Sequence, residues 1–222
     1  MGENINFKRA DGKMIPGYYA VPEVGDDAPG IVVLQEWWGL NDQIKGVADR
    51  FAKEGYRALV PDLYRGKVAL DVAEAEHLMT RLDFGDAATQ DISGALRHLK
   101  TGGTKVGVIG FCMGGILSIL AAARTDDADV AIPWYGLPPE GSMEPGDIKI
   151  PLQGHYALKD EPFTPAQVDA LEAKLKETGV NYEFYRYEAD HGFGNETSER
   201  YNPEATKLAW QRSLDFLAKH IR

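Results

Sequence analysis

Cys112 lies between two glycines in the run Gly110-Phe111-Cys112-Met113-Gly114. An apolar segment, 106–109, comes directly before the run, and residues 115–123 after it have the composition of a good helix. A side chain at either glycine position would clash with the neighbouring strand or helix if the chain turned sharply there. The pattern therefore predicts a strand–turn–helix unit that holds Cys112 out at the end of a sheet as a nucleophile.

Composition bounds the class of protein. The 222 residues are 44% hydrophobic and 26% charged, which predicts one soluble domain over 1–222 that buries its own core. The net charge of −10, without a basic run, argues against nucleic acid or an anionic membrane as a partner. The single cysteine cannot form an internal disulfide, and residues 1–8 lack an apolar leader, so we expect a cytoplasmic protein.

Predicted strands and helices alternate along the chain. Segment 30–35 is a short apolar run typical of a strand buried on both faces, and a helix capped at Asn41 follows it. This alternation predicts an α/β fold with a mostly parallel central sheet and helices on both faces. The further strands are predicted at 13–21, 57–60, 106–111, 129–134, 149–154 and 182–187, and the further helices at 71–82, 86–99, 164–178 and 202–220.

A thiol nucleophile needs a base, and the base needs a group that orients it. In known hydrolases that present a nucleophile on such a turn, the acid and then the histidine follow it in the chain. His191 lies in a glycine-containing loop after the predicted strand 182–187, at the edge where functional groups gather, and is the preferred base. His155 is a weaker rival at the end of a strand, and His220 is expected to be a solvated surface residue.

The orienting acid should follow the strand at 149–154. Asp160 and Glu161 are the candidates there, and a short carboxylate such as Asp160 is better suited to hold an imidazole N–H rigidly. Asp190 adjoins His191 in the chain, but neighbouring side chains rarely point at each other, so it ranks below Asp160. A solvated charged loop at 159–161 is the alternative interpretation.

Glu36-Trp37-Trp38-Gly39 follows the buried strand at 30–35 and should reach the same edge of the sheet. In this position the Trp37 N–H could pair with the Met113 N–H to hold an oxyanion. Glu36 would be costly beside two tryptophans unless its carboxylate has hydrogen-bond partners.

Four segments together resemble the dienelactone hydrolase family of α/β hydrolases, and their order and spacing agree over nearly the whole chain. The resemblance implies a single α/β-hydrolase domain with a cysteine–histidine–aspartate triad formed by Cys112, His191 and Asp160. It also implies that Glu36 keeps the resting thiol neutral and helps to deprotonate it when substrate arrives. The four segments are 35–39, 59–64, 107–115 and 187–193.

The chain departs from this family at the substrate pocket. The family's best-known members bind a substrate carboxylate with two arginines, and one of these positions is Asn195 here. The other falls within 71–77, which contains no arginine, although Arg65, Lys67 and Arg81 are nearby in the sequence. Loss of both guanidinium groups favours a neutral or differently charged ester or lactone. The aromatic residues that could line an apolar pocket, or pack in the core, are Trp38, Tyr64, Trp134, Tyr135 and Phe193.

The leading hypothesis is a hydrolase of small carboxylic esters or lactones that forms an acyl-thioester on Cys112. No metal or cofactor motif is present in the sequence, so we expect neither, and the oligomeric state stays open with a monomer favoured. Two alternatives remain. One is a thiol redox sensor or peroxide scavenger, and the other is a degenerate hydrolase that only binds a ligand.

Overall fold

Two wholly buried strands, β3 (Gly30–Leu34) and β5 (Val106–Phe111), run side by side in parallel through the middle of the sheet. Val32 pairs with Val108, and side chains alternate between two hydrophobic clusters, one on each face of the sheet. A strand covered on both faces needs an uninterrupted apolar run, which both segments have. The computed structural model describes residues 2–23, 25, 27–100 and 104–222.

The described residues form an eight-stranded sheet in the order β1-β2-β4-β3-β5-β6-β7-β8. Strands β3 to β8 are all parallel to their neighbours, whereas β1 and β2 form an antiparallel extension at one edge. The prediction of a mostly parallel sheet is therefore confirmed. The remaining strands are β1 (Glu3–Lys8), β2 (Met14–Ala20), β4 (Arg57–Pro61), β6 (Val130–Trp134), β7 (Leu152–Lys159) and β8 (Tyr182–Asp190).

Helices cover both faces, as predicted. The buried sides of α1 (Asp42–Lys53) and α7 (Pro203–Ile221) share one cluster with Ile31 and Val33 of β3. On the other face, α4 (Ser93–Leu99) and α5 (Met113–Arg124) pack against β3, and α6 (Pro165–Thr178) packs against β7. Within the described residues, no helix is both long enough and apolar enough to cross a membrane. The other helices are α2 (Val72–Arg81) and α3 (Phe84–Asp86), with a π-helical turn, Ala87–Ile92, joining α3 to α4.

One strand boundary differs from its prediction in a way that positions the site. The sequence predicts a strand at 149–154, but β7 spans Leu152–Lys159. Pro151 has no N–H for the sheet, and pairing with β8 continues as far as Lys159 opposite Asp190. Asp160 and His191 consequently follow the last residues of two adjacent parallel strands. His155, predicted at the end of a strand, lies in the interior of β7.

Candidate active site

The turn between β5 and α5 carries Cys112 in a strained backbone conformation. Its φ is +53° and its ψ is −114°, a region that residues with a side chain rarely adopt. A Cβ on Gly110 would lie 1.9 Å from the carbonyl oxygen of Gly114, and a Cβ on Gly114 would lie 2.5 Å from that of Leu34. The predicted need for glycine on both sides of Cys112 is thus confirmed by the close approach of backbone.

Three side chains from three strand ends form a hydrogen-bonded line. His191 Nε2 lies 3.2 Å from Cys112 Sγ, and His191 Nδ1 lies 2.9 Å from Asp160 Oδ2. The other oxygen, Asp160 Oδ1, accepts the Phe163 N–H at 2.8 Å, which fixes the carboxylate. A carboxylate oxygen accepts, so the proton of a neutral His191 sits on Nδ1 and the lone pair of Nε2 faces the thiol. The structure therefore brings together Cys112, His191 and Asp160.

The rival residues lie elsewhere. Glu161 and Asp190 are exposed and line a second, smaller recess that also borders His191. The His155 ring is buried, with Nδ1 2.8 Å from the Tyr187 hydroxyl and Nε2 3.0 Å from the Ser213 hydroxyl. Burial lowers the pKa of His155 to about 3, so it stays neutral. His220 is in the last turn of α7. Its carbonyl accepts from the side chain of Lys105, just before β5, whereas Cys112 directly follows β5.

Glu36 is only 8% exposed, and both of its carboxylate oxygens have partners. The Tyr135 hydroxyl donates to Oε1 at 3.1 Å, and the Asn195 side-chain amide donates to Oε2 at 2.8 Å. Burial nevertheless raises the pKa of Glu36, against the lowering effect of these hydrogen bonds. The expected requirement for hydrogen-bond partners at this position is met, and both partners are uncharged.

The surroundings of the Cys112 sulfur raise the pKa of the thiol on balance and so favour its neutral form. Burial raises the pKa of Cys112, and the nearby Glu36 carboxylate raises it further. The Met113 backbone N–H, in the first turn of α5, lowers the pKa of Cys112 and so opposes that rise. Met113 and Trp37 both line the cavity beside Cys112.

A cavity of about 800 Å³ opens above Cys112 and His191. Elements on both sides of β5 form its walls: the segment after β3, helix α2, the start of α5, and the loops that follow β7 and β8. Its lining residues are Glu36, Trp37, Trp38, Val72, Met79, Cys112, Met113, Ile116, Pro162, Phe163, His191, Gly192, Asn195, Thr197, Ser198, Glu199 and Arg200.

Of the aromatic residues considered for substrate contact, Trp38 lines this cavity and the other four do not. Trp134 and Phe193 stack with ring centroids 5.6 Å apart beneath the site, and Tyr135 packs edge-on against the His191 ring at 5.4 Å. The Tyr64 hydroxyl donates to Met113 Sδ at 3.2 Å. These four residues do not line the pocket as expected but are buried beneath it, each less than 9% exposed: Trp134, Tyr135, Phe193 and Tyr64.

Cavity residues that sequence reasoning missed come mostly from α2 and from the segment 197–200. Arg200 is the one arginine among the lining residues, nine positions after His191. Arg65 is instead paired with buried Asp91 at 2.8 Å, and Arg81 is exposed at the end of α2. The segment 195–202 has no helix or strand periodicity, so no sequence signal could have placed Arg200 at the cavity.

Comparisons with known proteins agree over the length of the chain. The model of the dienelactone hydrolase family matches residues 15–221. The chain is 36% identical to "Protein usf" of Aquifex pyrophilus and 31% identical to a "Putative carboxymethylenebutenolidase" of Aquifex aeolicus (strain VF5), in both cases over 100% of each protein.

The fold also matches solved structures. The crystal structure of "Putative Dienelactone Hydrolase" from Klebsiella pneumoniae subsp. pneumoniae MGH 78578 superposes with a TM-score of 0.88 at 26% identity, covering 98% of this chain and 99% of that one. Because the family model matches residues 15–221 and the fold superposes over nearly the whole chain, the chain belongs to the dienelactone hydrolase family and has the α/β-hydrolase fold.

Proposed function

We propose that this protein hydrolyses carboxylic esters or lactones through a covalent acyl-thioester on Cys112. The observation that carries the proposal is the line Asp160–His191–Cys112, with separations of 2.9 and 3.2 Å, at the floor of a cavity of about 800 Å³. Nucleophile, base and orienting group are thereby within hydrogen-bond reach of one another, as covalent catalysis requires.

In the first step, His191 Nε2 takes the thiol proton while Cys112 Sγ attacks the substrate carbonyl carbon. The carbonyl oxygen becomes an oxyanion, for which the Trp37 and Met113 N–H groups are the proposed donors. Mutational studies of comparable sites attribute about 3 kcal/mol of transition-state stabilisation to each such donor. Collapse of this intermediate breaks the bond to the alcohol oxygen, which receives its proton from His191 Nε2.

In the second step, water hydrolyses the acyl-thioester. His191 Nε2 takes a proton from the water as its oxygen attacks the thioester carbonyl, and the carbon–sulfur bond then breaks. The proton passes back to Cys112 Sγ and the carboxylic acid leaves. Asp160 keeps His191 in the tautomer and orientation that both steps need.

Glu36 acts on the charge state of the nucleophile. Burial and the Glu36 carboxylate together raise the pKa of the Cys112 thiol, so the nucleophile rests as a thiol and is deprotonated during attack. A neutral resting thiol is slow to react with peroxide. This arrangement supports hydrolysis over the alternative of a peroxide-reactive sensor.

The test is hydrolysis of a panel of aryl esters and lactones, including dienelactone, by the wild type and by Cys112→Ala. Intact-mass spectra taken during turnover should show an acyl adduct on the wild type and none on Cys112→Ala, with activity lost in the variant. Hydrolysis that survives in Cys112→Ala would rule out the thioester route. Absence of both activity and adduct across the panel would favour ligand binding without catalysis.

A further inference from the structure

The order of the strands divides the cavity into two halves with Cys112 between them. Cys112 follows β5, and β3 and β4 lie on one side of that strand, whereas β6, β7 and β8 lie on the other. Trp37 and Trp38 follow β3, and helix α2 follows β4. We name this side, formed by Trp37, Trp38, Val72, Met79 and Ile116, the α2 side of the cavity.

The α2 side is apolar. Val72 and Met79 are seven residues apart on α2 and therefore share a face of that helix. Ile116 lies four residues after Cys112, on α5, and lines the same cavity. Val72 is 57% exposed although it lines the cavity, so this apolar wall reaches solvent. Glu36 is the charged residue near this side, and both of its oxygens are already hydrogen-bonded.

The opposite half has a different chemistry. Pro162 and Phe163 form one part of its wall. The rest is formed by His191 and by polar residues that follow it in the loop after β8. These residues are Thr197, Ser198, Glu199 and Arg200, whereas Asn195 lies at the boundary between the halves, because its amide donates to Glu36 near the α2 side.

The proposed reaction orients a substrate between these halves. His191 Nε2 must reach the leaving alcohol oxygen to protonate it, so the alcohol group lies on the side of His191. The acyl group stays on Cys112 and takes a different direction from the leaving alcohol. We infer that the substrates are esters with an extended, uncharged, apolar acyl group that packs along the α2 side, joined to a small or polar alcohol.

The inference rests on the proposed function and adds the substrate class to it. A small lactone does not require the space available, since cavities of roughly 300–1,000 Å³ accommodate drug-sized ligands. The volume of about 800 Å³ falls in the upper part of that range.

Two series of esters separate the halves. The first keeps the alcohol as p-nitrophenol and lengthens the acyl group from butanoyl to hexanoyl and octanoyl, over which intrinsic ester reactivity is nearly constant. We expect kcat/KM to rise roughly fourfold per added methylene, as burial of each methylene against apolar residues predicts. The second series keeps an acetyl group and lengthens the alcohol from ethyl to hexyl, and kcat/KM should then change by less than about twofold.

A charge on the α2 side should remove the acyl preference. In Val72→Asp, an exposed position near the start of α2 that tolerates an acidic residue, the ratio of octanoyl to butanoyl kcat/KM should fall at least roughly tenfold. Leu208→Asp is the matched control, because Leu208 is 47% exposed on α7 and is not among the cavity residues. Its ratio should equal that of the wild type.

The outcomes distinguish the two proposals. If short esters are hydrolysed through Cys112 but kcat/KM is flat or falls with acyl length, the hydrolase stands and the substrate class is wrong. A rise with alcohol length in place of acyl length would also overturn the orientation. If no ester is hydrolysed and no acyl adduct forms, the proposed function fails, and the substrate class fails with it.

Discussion

The side-chain amide of Asn195 donates a 2.8 Å hydrogen bond to Oε2 of Glu36, joining the loop after β8 to the segment after β3. Asn195 is 4% exposed, and its own Oδ1 accepts from the Thr197 N–H and hydroxyl, so the amide is held in one orientation. Glu36 is therefore a buried carboxyl group whose two direct partners are both uncharged. Its ionisation is balanced between burial, which raises its pKa, and hydrogen bonds, which lower it.

Replacing Asn195 by leucine should shift that balance. Without the amide donor, the pKa of Glu36 rises further, so the folded protein holds the carboxyl proton to higher pH than the unfolded chain does. The free energy of unfolding of the wild type should decline as pH rises above the unfolded-state pKa of about 4.3. In Asn195→Leu this decline should be steeper and extend to higher pH, with a loss of about 1–3 kcal/mol at neutral pH.

Urea denaturation between pH 5 and 8 measures this difference. The same substitution in a Glu36→Gln background is the control, because the pH-dependent part of the effect should disappear there. An Asn195→Leu effect that keeps the same pH dependence in both backgrounds would show that the hydrogen bond does not act on the ionisation of Glu36.

The single cysteine gives a direct readout of the resting thiol. Burial and Glu36 raise the pKa of Cys112, so iodoacetamide should alkylate the wild type more slowly than it alkylates a free thiol such as glutathione at pH 7. Glu36→Gln removes the nearby negative charge and should accelerate alkylation several-fold. Intact-mass time courses measure the rate without ambiguity, since the chain has one cysteine. A wild type that reacts faster than glutathione would indicate a resting thiolate and revive the redox alternative.

Asp160→Asn should separate orientation of His191 from charge near it. An asparagine in this place can favour the wrong imidazole tautomer, and the corresponding change in a serine triad lowers kcat by about 10⁴. We expect a loss of about 10²–10⁴ in kcat for an aryl ester. Asp190→Asn removes the same charge from the residue adjoining His191 in the chain and should retain activity within about twofold. Equal losses in the two variants would argue for a general electrostatic effect.

Gly114→Ala tests the close approach at the turn. The added Cβ would lie 2.5 Å from the Leu34 carbonyl oxygen and 2.7 Å from that of Gln35, both backbone atoms that cannot move independently. We expect a loss of about 1–3 kcal/mol in the free energy of unfolding, or failure to fold. Gly46→Ala, within α1 where an added Cβ meets nothing within 4 Å, should instead gain about 0.5–1 kcal/mol. Chemical denaturation midpoints compare the two.

Local patterns were sufficient for the centre of the fold. The apolar runs of β3 and β5, the Asn41 cap and the glycines around Cys112 each have one reasonable structural interpretation, because burial on both faces or a tight turn restricts composition strongly. The edge strand β1 was not predicted. Its Glu3–Lys8 segment is mostly exposed and has no apolar run, so its identity as a strand depends on antiparallel pairing with β2, a tertiary contact.

The sequence predicts those site residues whose position follows from the order of strands along the chain. It does not predict those whose orientation depends on side-chain packing. Asp160 and His191 follow strands, so topology alone brings them near Cys112. Whether an aromatic residue faces a cavity or the core depends on the packing around it. Trp38 follows a strand and lines the cavity, whereas Trp134 ends a strand and is buried in the core. Arg200 lies in an irregular segment, where no periodicity relates sequence position to direction.

The positive φ of Cys112 has a consequence for how this protein responds to selection. Glycine is the residue that adopts such a conformation without strain, so Cys112→Gly should be more stable than the native chain and inactive. A library screened only for heat resistance would therefore enrich proteins without the nucleophile, because the reactive position lowers the stability of its own scaffold. Only a screen that also demands turnover would retain cysteine at this turn.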